Sequence, residues 1–281
     1  MSGRILVLGA SGHVGQPLVA ELVARGEAVR AASRGGQARG GAEGVRFDWH
    51  DPATHEAAFE GVDRVFALLP AGQLDSPGLL RPVVERAAAQ GAKVVLMTAM
   101  GVDADDSIPY RQAELMLERS GARWTVIRPN WFMDNFHSYW LDGVKRGAIT
   151  VPAGEGKTSF IDARDIAASA AGALTSDRFE GRAFNLTGPE ALSYHEAAAV
   201  LSNVAGRTIA YRPVDDESFV GMMTGAGMPE DYARFLTAIF GPVREGWAAA
   251  LTGDVEELTG RRPRDLRAYA QDHAAALRLA A

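Results

Sequence analysis

The sequence predicts an α/β fold, a doubly wound parallel sheet joined to a smaller, mainly helical C-terminal lobe. Three observations carry that prediction. Short, continuously apolar runs alternate with helical patterns over the first two-thirds of the chain. A glycine-rich turn links the first run to the first helix, and after Pro129 the rhythm breaks into an aromatic-dense segment. Apolar strands without in–out alternation, joined by helices, imply a parallel sheet covered on both faces through right-handed crossovers.

The elements follow in order. RILVLGA (4–10) is a buried strand; Val14, Leu18 and Leu22, with Val19 and Val23, then supply the i, i+4 face of a helix closed by Gly26. Further strands are expected at 28–33, 45–49, 64–69, 93–98 and 124–129, with helices at about 53–60, 78–90 and 109–120. Beyond Pro129, ITVPAGEGKTSFID (149–162) suggests an extended hairpin-like stretch. ARDIAASAAGAL (163–174) and RAFNLTG (182–188) return one helix and one strand to the sheet. Residues from about 189 onward are largely helical, with a strand near 207–213. The expected division is 1–130 plus 161–188 for a dinucleotide-binding domain, and 131–160 plus 189–281 for an interleaved substrate-binding lobe.

Composition narrows the function classes. The formal net charge of −6 disfavours non-specific binding to nucleic acid or to an anionic membrane. Cysteine is absent and no HExxH-like pair occurs among the six histidines, so neither a thiolate nucleophile nor a metal site is expected. The apolar start is too short for a signal-peptide core, and no run approaches the ~20 residues of a membrane span. A cytoplasmic protein is expected; the sequence leaves its oligomeric state, monomer or homodimer, open.

VLGASGHVG places Gly9, Gly12 and Gly15 in a GxxGxxG frame between a strand and a helix. Without Cβ atoms, such a turn lets backbone N–H groups approach a pyrophosphate at the helix N-terminus, where the dipole favours negative charge. Gly9, Ser11, Gly12, His13, Val14 and Gly15 are therefore candidate cofactor residues of a Rossmann-type fold. An ordinary strand-to-helix turn would need glycine too, but position and context favour the dinucleotide. At the tip of the second strand stand Ser33 and Arg34, and residues 28–42 hold three arginines and no carboxylate. Arginine there accommodates a 2′-phosphate, so NADP(H) is expected over NAD(H), with no flavin. Asp48 and Trp49 end the third strand, to flank the adenine or, for Trp49, to pack beneath the loop.

Trp131, Phe132, Phe136, Tyr139 and Trp140 crowd ten residues; a helix would align most of them on one face. Such a cluster suits a slot for a planar aromatic ligand, or the packing of the lobe itself. Trp131, Phe132 and Phe136 are the candidate substrate walls. The segment 219–235, with three methionines and three glycines, offers an adaptable lid or core filler. GEGKT (154–158) lacks the first glycine of a P-loop and is expected to be a tight turn.

Taken together, VLGASGHVG, the arginine after strand two, AELMLERSGARWTVIRPNWFMDNF (113–136) and GEGKTSFIDARDIA (154–167) resemble the NmrA-like group of atypical short-chain dehydrogenases/reductases. The similarity continues through 181–198 and 260–274, so it spans nearly the whole chain. The group includes NADPH-dependent quinone oxidoreductases, dye- and azo-reducing enzymes, reductases of secondary metabolism, and dinucleotide-binding redox sensors without evident turnover. The resemblance implies that Leu68, Leu69 and Pro70 lie beside the cofactor. Thr98, Ala99 and Met100 would lie near the nicotinamide ribose, and Asn130 near the nicotinamide.

The resemblance also sharpens one departure. More distant relatives place a lysine near a catalytic tyrosine, lowering the phenol pKa from about 10. Here Tyr110 is the candidate acid, and Glu114 stands four residues on. Hydride delivery to an isolated ketone makes a localised alkoxide that demands an acid, whereas a quinone spreads the charge over its ring system. The expected function is thus NAD(P)H-dependent reduction of a planar conjugated small molecule. The alternatives are the reductase component of a monooxygenase-like aromatic hydroxylation, and a non-catalytic NADP(H)-sensing regulator. Tyr110 as a plain surface residue of the helix entry remains the competing assignment.

Overall fold

The computed structural model describes residues 3–70 and 75–277. Residues 1–2 and 278–281, at the ends of the two expected domains, lie outside the described residues. The chain forms two compact units. The first comprises Met1–Pro129, Ala163–Leu186 and Gly253–Arg262; the second comprises Asn130–Asp162, Thr187–Thr252 and Pro263–Ala281. Against the expected division, the segment 253–262 joins the sheet unit rather than the lobe.

In the first unit, β1 (Arg4–Val7), β2 (Val29–Ser33), β3 (Glu43–Arg46), β4 (Val62–Leu68), β5 (Lys93–Met97) and β6 (Arg123–Pro129) run in parallel. Two short strands of the second unit intervene in sequence, β7 (Ala148–Val151) and β8 (Lys157–Thr158). Then β9 (Arg182–Leu186) returns beside β6. The order is β3-β2-β1-β4-β5-β6-β9, so the chain reverses direction across the sheet between β1 and β4. That switch point opens the crevice in which doubly wound sheets bind ligands.

The central strands are buried on both faces of the sheet, and alternate residues point to opposite sides. Leu6, Leu8, Val65, Ala67, Val94, Leu96 and Val126 join one apolar cluster with α2 (His55–Phe59), α3 (Ser76–Ala89) and α4 (Pro109–Glu118). The opposite face is covered by α1 (Gly15–Ala24) and by α6 (Ala163–Leu174), which follows α5 (Leu141–Lys145) of the second unit. α6 is built from alanine and glycine so that backbone can come close. A Cβ on Gly172 would stand 2.1 Å from the carbonyl oxygen of Leu258, inside the short helix Asp254–Thr259. The same stretch holds β9, through a bidentate Arg182–Glu257 pair and the Asn185 amide donating to Asp254.

In the second unit, α7 (Tyr194–Ala205) starts at a complete capping box, Ser193 with Glu196. It is followed by α8 (Asp216–Gly225), α9 (Glu230–Ala238) and α10 (Gly241–Arg244). After α11, the Asp254–Thr259 helix already described, come α12 (Leu266–Asp272) and α13 (Ala274–Leu277). The arginine-rich 261–267 segment leads into α12, whose Leu266, Tyr269 and Ala270 are buried. The expected hairpin does not form. β7 pairs in parallel with β11 (Ala210–Pro213), and β8 pairs antiparallel with β10 (Leu192–Ser193). The turn between β7 and β8 carries Gly154 at φ +54° and presses Gly156 against the Val243 carbonyl, so the two arms diverge to separate partners.

Candidate dinucleotide site

The turn after β1 is fixed by backbone proximity. Gly9 adopts φ +70°, and a Cβ there would also touch the Leu68 side chain at 3.4 Å, so the tip of β4 closes over the turn. The Gly12 amide donates to the Gly9 carbonyl at 3.0 Å. Gly15 opens α1 with its Cα against the same carbonyl; a Cβ would stand 2.1 Å from Gly9 O and 2.8 Å from Ala10 Cα. Ser11, Gly12 and His13 are exposed, whereas Val14 and Gly15 are buried. Val14 contributes no side-chain cap, and the first turn of α1 has no acidic residue. The helix therefore presents uncapped N–H groups and an uncompensated positive dipole end, which fit a pyrophosphate.

At the tip of β2, Ser33 accepts the Gly36 amide on its hydroxyl oxygen, shaping the loop that Arg34 enters. Arg34 is exposed and has no ion-pair partner among the described residues. Sequence reading overlooked Arg46, whose Cα is paired with Ser33 and which forms only an exposed contact with Asp51 at 3.4 Å. Its signal was an arginine at the end of a short edge strand. Asp48 accepts the His50 amide in its own turn. Trp49 packs on the apolar cluster, edge-on to Phe47 at 5.2 Å, which favours the packing role over adenine contact.

The other half of the crevice is lined by the tips of β4 and β5. Leu68 is half-buried, Leu69 buried and Pro70 half-buried. Beyond the end of β5 the ladder continues: the Thr98 amide donates to Ile127 O and the Met100 amide to Pro129 O, both at 3.0 Å. Thr98 is buried, with Ala99 and Met100 half-buried after it.

Glu114 is fully buried and turned toward these tips. Its Oε1 accepts from Thr98 Oγ1 at 2.6 Å and from Arg128 Nε at 2.9 Å. Its Oε2 accepts from Arg128 Nη2 at 2.7 Å and from Arg111 Nη1 at 2.9 Å. Arg128, itself buried in β6, also donates to Asp103. Burial opposes the charge of Arg111, but hydrogen bonds to Glu114, Glu118 and Asp106 outweigh it and raise its pKa. The carboxylate in the place of the expected lysine is thus a neutralised structural group. This network was missed from sequence, although an arginine inside the apolar run WTVIRP was its signal. Tyr110, one helical turn earlier, is half-buried and packs on the apolar cluster of α3 and α4.

Two expectations for the second unit are corrected. Phe136 has 0% exposure and packs against Phe160 and Trp140 at 5.2 and 5.1 Å, so it is lobe core rather than a substrate wall. Residues 133–137 form a 3-10 turn, not an α-helix, which aims Phe136 inward. Trp131 is half-buried against the lobe's aromatic cluster, tilted against Phe240 at 4.5 Å and stacked on Trp140 at 6.1 Å. Phe132 is half-buried and bridges to Ile161. The Asn130 side chain is consumed locally, donating to Ser159 Oγ and Ala248 O while accepting the Trp131 amide. It ties the lobe's loops together, with both amide hydrogens engaged and one lone pair of Oδ1 taken by the Trp131 amide. In the 219–235 segment, Phe219 and Val220 are buried and Met222 is exposed.

No helix among the described residues is long and apolar enough to cross a membrane. A family model described as NAD(P)H-binding matches residues 9–177. The chain is 36% identical to the oxidoreductase YesF of Bacillus subtilis (strain 168), covering 96% of this chain and 95% of that protein. It is 34% identical to the NAD(P)H azoreductase of Xenophilus azovorans, covering 97% and 98%. The NADPH complex of a quinone oxidoreductase from Escherichia coli superposes with a TM-score of 0.83 at 21% identity, covering 96% of this chain and 99% of that one. With its glycine turn, uncapped first helix and sheet order, the chain belongs to the NAD(P)H-binding family and is an NAD(P)H-dependent oxidoreductase.

Proposed function

We propose that the chain uses NADPH in preference to NADH to reduce a planar conjugated acceptor, quinone-like or azo-like, without a tuned tyrosine acid. The pyrophosphate lies on the N-terminus of α1, with Gly9, Gly12 and Gly15 permitting its approach. The adenosine half runs over the tips of β2 and β3, its 2′-phosphate on Arg34. The nicotinamide half then runs the other way, over the tips of β4, β5 and β6, beside Leu68 and Thr98.

The carrying observation is the fate of Glu114. Four residues after Tyr110, the helix position that would bring an ammonium instead holds a carboxylate consumed by Thr98, Arg128 and Arg111. The chain has three lysines. Lys93 donates to Ser176 O at the opposite end of β5, and Lys157 pairs with Glu196 in the second unit; Lys145 ends α5. A reductase built this way suits an acceptor that disperses negative charge itself and takes its proton from solvent. Azo- and quinone-reducing activities in the names of similar proteins support the same substrate class.

The test is loss of NADPH absorbance with a panel of naphthoquinones, azo dyes and simple aliphatic ketones. Turnover is expected with the first two classes and not with the ketones. Ketone reduction at comparable kcat/KM overturns the delocalised-acceptor reading. Tight NADPH binding without turnover on any acceptor moves the protein to the sensor alternative.

A further inference from the structure

A second role for the buried network follows from the direction of its hydrogen bonds. An ionised carboxylate only accepts, and a threonine hydroxyl has one proton and two lone pairs. Arg128 donates to both oxygens of Glu114 and Arg111 donates to Oε2, and a guanidinium can only donate. Thr98 must therefore spend its only proton on Glu114 Oε1, at 2.6 Å. Any further partner meets Thr98 as an acceptor alone. The same carboxylate holds Arg128 of β6 and, through it, Asp103 in the turn after β5. One side chain on α4 thus fixes two adjacent strand tips, a turn and the polarity of a hydroxyl.

We propose that Glu114 is a positioning residue for the nicotinamide half of the cofactor: it orients Thr98 to accept a hydrogen bond from a ribose hydroxyl or carboxamide N–H. The inference rests on the cofactor path described above. It explains why a carboxylate occupies a helix position facing an anionic ligand's crevice: its charge is cancelled below, and only an oriented neutral hydroxyl faces upward. The role differs from acid catalysis, since no proton leaves Thr98 during hydride transfer.

The test compares two ligands by titration calorimetry, NADPH and 2′,5′-ADP, which lacks the nicotinamide half. Wild type, Thr98→Val, Thr98→Ser and Glu114→Gln are measured in parallel. Thr98→Val removes the acceptor while leaving Glu114 paired with both arginines, so it guards against the chance that Glu114→Gln misfolds. NADPH affinity is expected to fall about five- to tenfold in Thr98→Val and Glu114→Gln, with 2′,5′-ADP within about twofold of wild type, the size of one lost hydrogen bond. Thr98→Ser is expected to retain wild-type affinity for both. Equal weakening of both ligands, or unchanged NADPH affinity in Thr98→Val, overturns the positioning role while leaving the cofactor reading intact. If wild type binds neither ligand, the cofactor reading itself falls, and this inference with it.

Discussion

The carbonyl oxygen of Gly9 lies 2.1 Å from the point where a Cβ on Gly15 would stand. No real Cβ tolerates that approach, and the obstacle is backbone rather than a flexible side chain. Gly15→Ala must therefore push α1 away from the turn. NADPH affinity is expected to fall by about tenfold or more, about 1.4 kcal/mol, as read by titration calorimetry. An unchanged dissociation constant would mean that the turn does not set the distance to the pyrophosphate.

Arg34 tests cofactor choice. Its exposed guanidinium meets no acid among the described residues, so its removal costs the fold little. Arg34→Ala is expected to raise KM for NADPH about tenfold, within the range of a charge-assisted hydrogen bond, and to leave KM for NADH within about twofold. Steady-state kinetics with both cofactors decides, and equal effects remove the 2′-phosphate assignment.

Tyr110 separates a tuned acid from a packing residue. A positioned general acid contributes roughly 10²–10⁴-fold. Tyr110→Phe keeps the ring on its apolar cluster and removes only the hydroxyl. A loss of kcat below about threefold is expected with a quinone acceptor; a hundredfold loss would restore the phenol as the proton donor.

Phe136 tests the correction made in the second unit. Because the ring is fully buried among Phe160 and Trp140, Phe136→Ala is expected to cost about 3–5 kcal/mol of stability. Denaturant unfolding measures it. A stable variant with a changed substrate preference would return Phe136 to the binding site.

Lys93 gives a pH signature. Burial lowers its pKa below the ordinary 10.5, against the pull of Glu180 and Asp177. Between the lowered folded value and 10.5, the unfolded chain binds more protons than the folded one, so stability rises with pH across that window. Thermal melts from neutral pH upward should show that slope, and Lys93→Met should flatten it.

Much of the sheet was legible because buried parallel strands announce themselves as apolar runs. The helix 163–174 forms over the residues expected for it, and the glycine turn is legible from its spacing. What the sequence concealed was tertiary. Glu114 looked like a wrong-signed neighbour of Tyr110 because its partners, Thr98 and Arg128, lie 16 and 14 residues away on other elements. Phe136 looked like a pocket wall because a 3-10 turn and an α-helix aim the same residues differently. β7 and β8 looked like a hairpin because their true partners, β11 and β10, come dozens of residues later.

The helix Asp254–Thr259 also bears on how the protein is made. Its carbonyl seat for Gly172, and its acids for Arg182 and the Asn185 amide, leave the ribosome only after some 250 residues have already emerged. Until then the last strand lacks its outer clasp, and neither half exists as one uninterrupted piece of chain. Expressing the nucleotide half alone by stopping after the last sheet strand would therefore yield an unfinished protein, and any trimmed version must splice residues 253–262 back in.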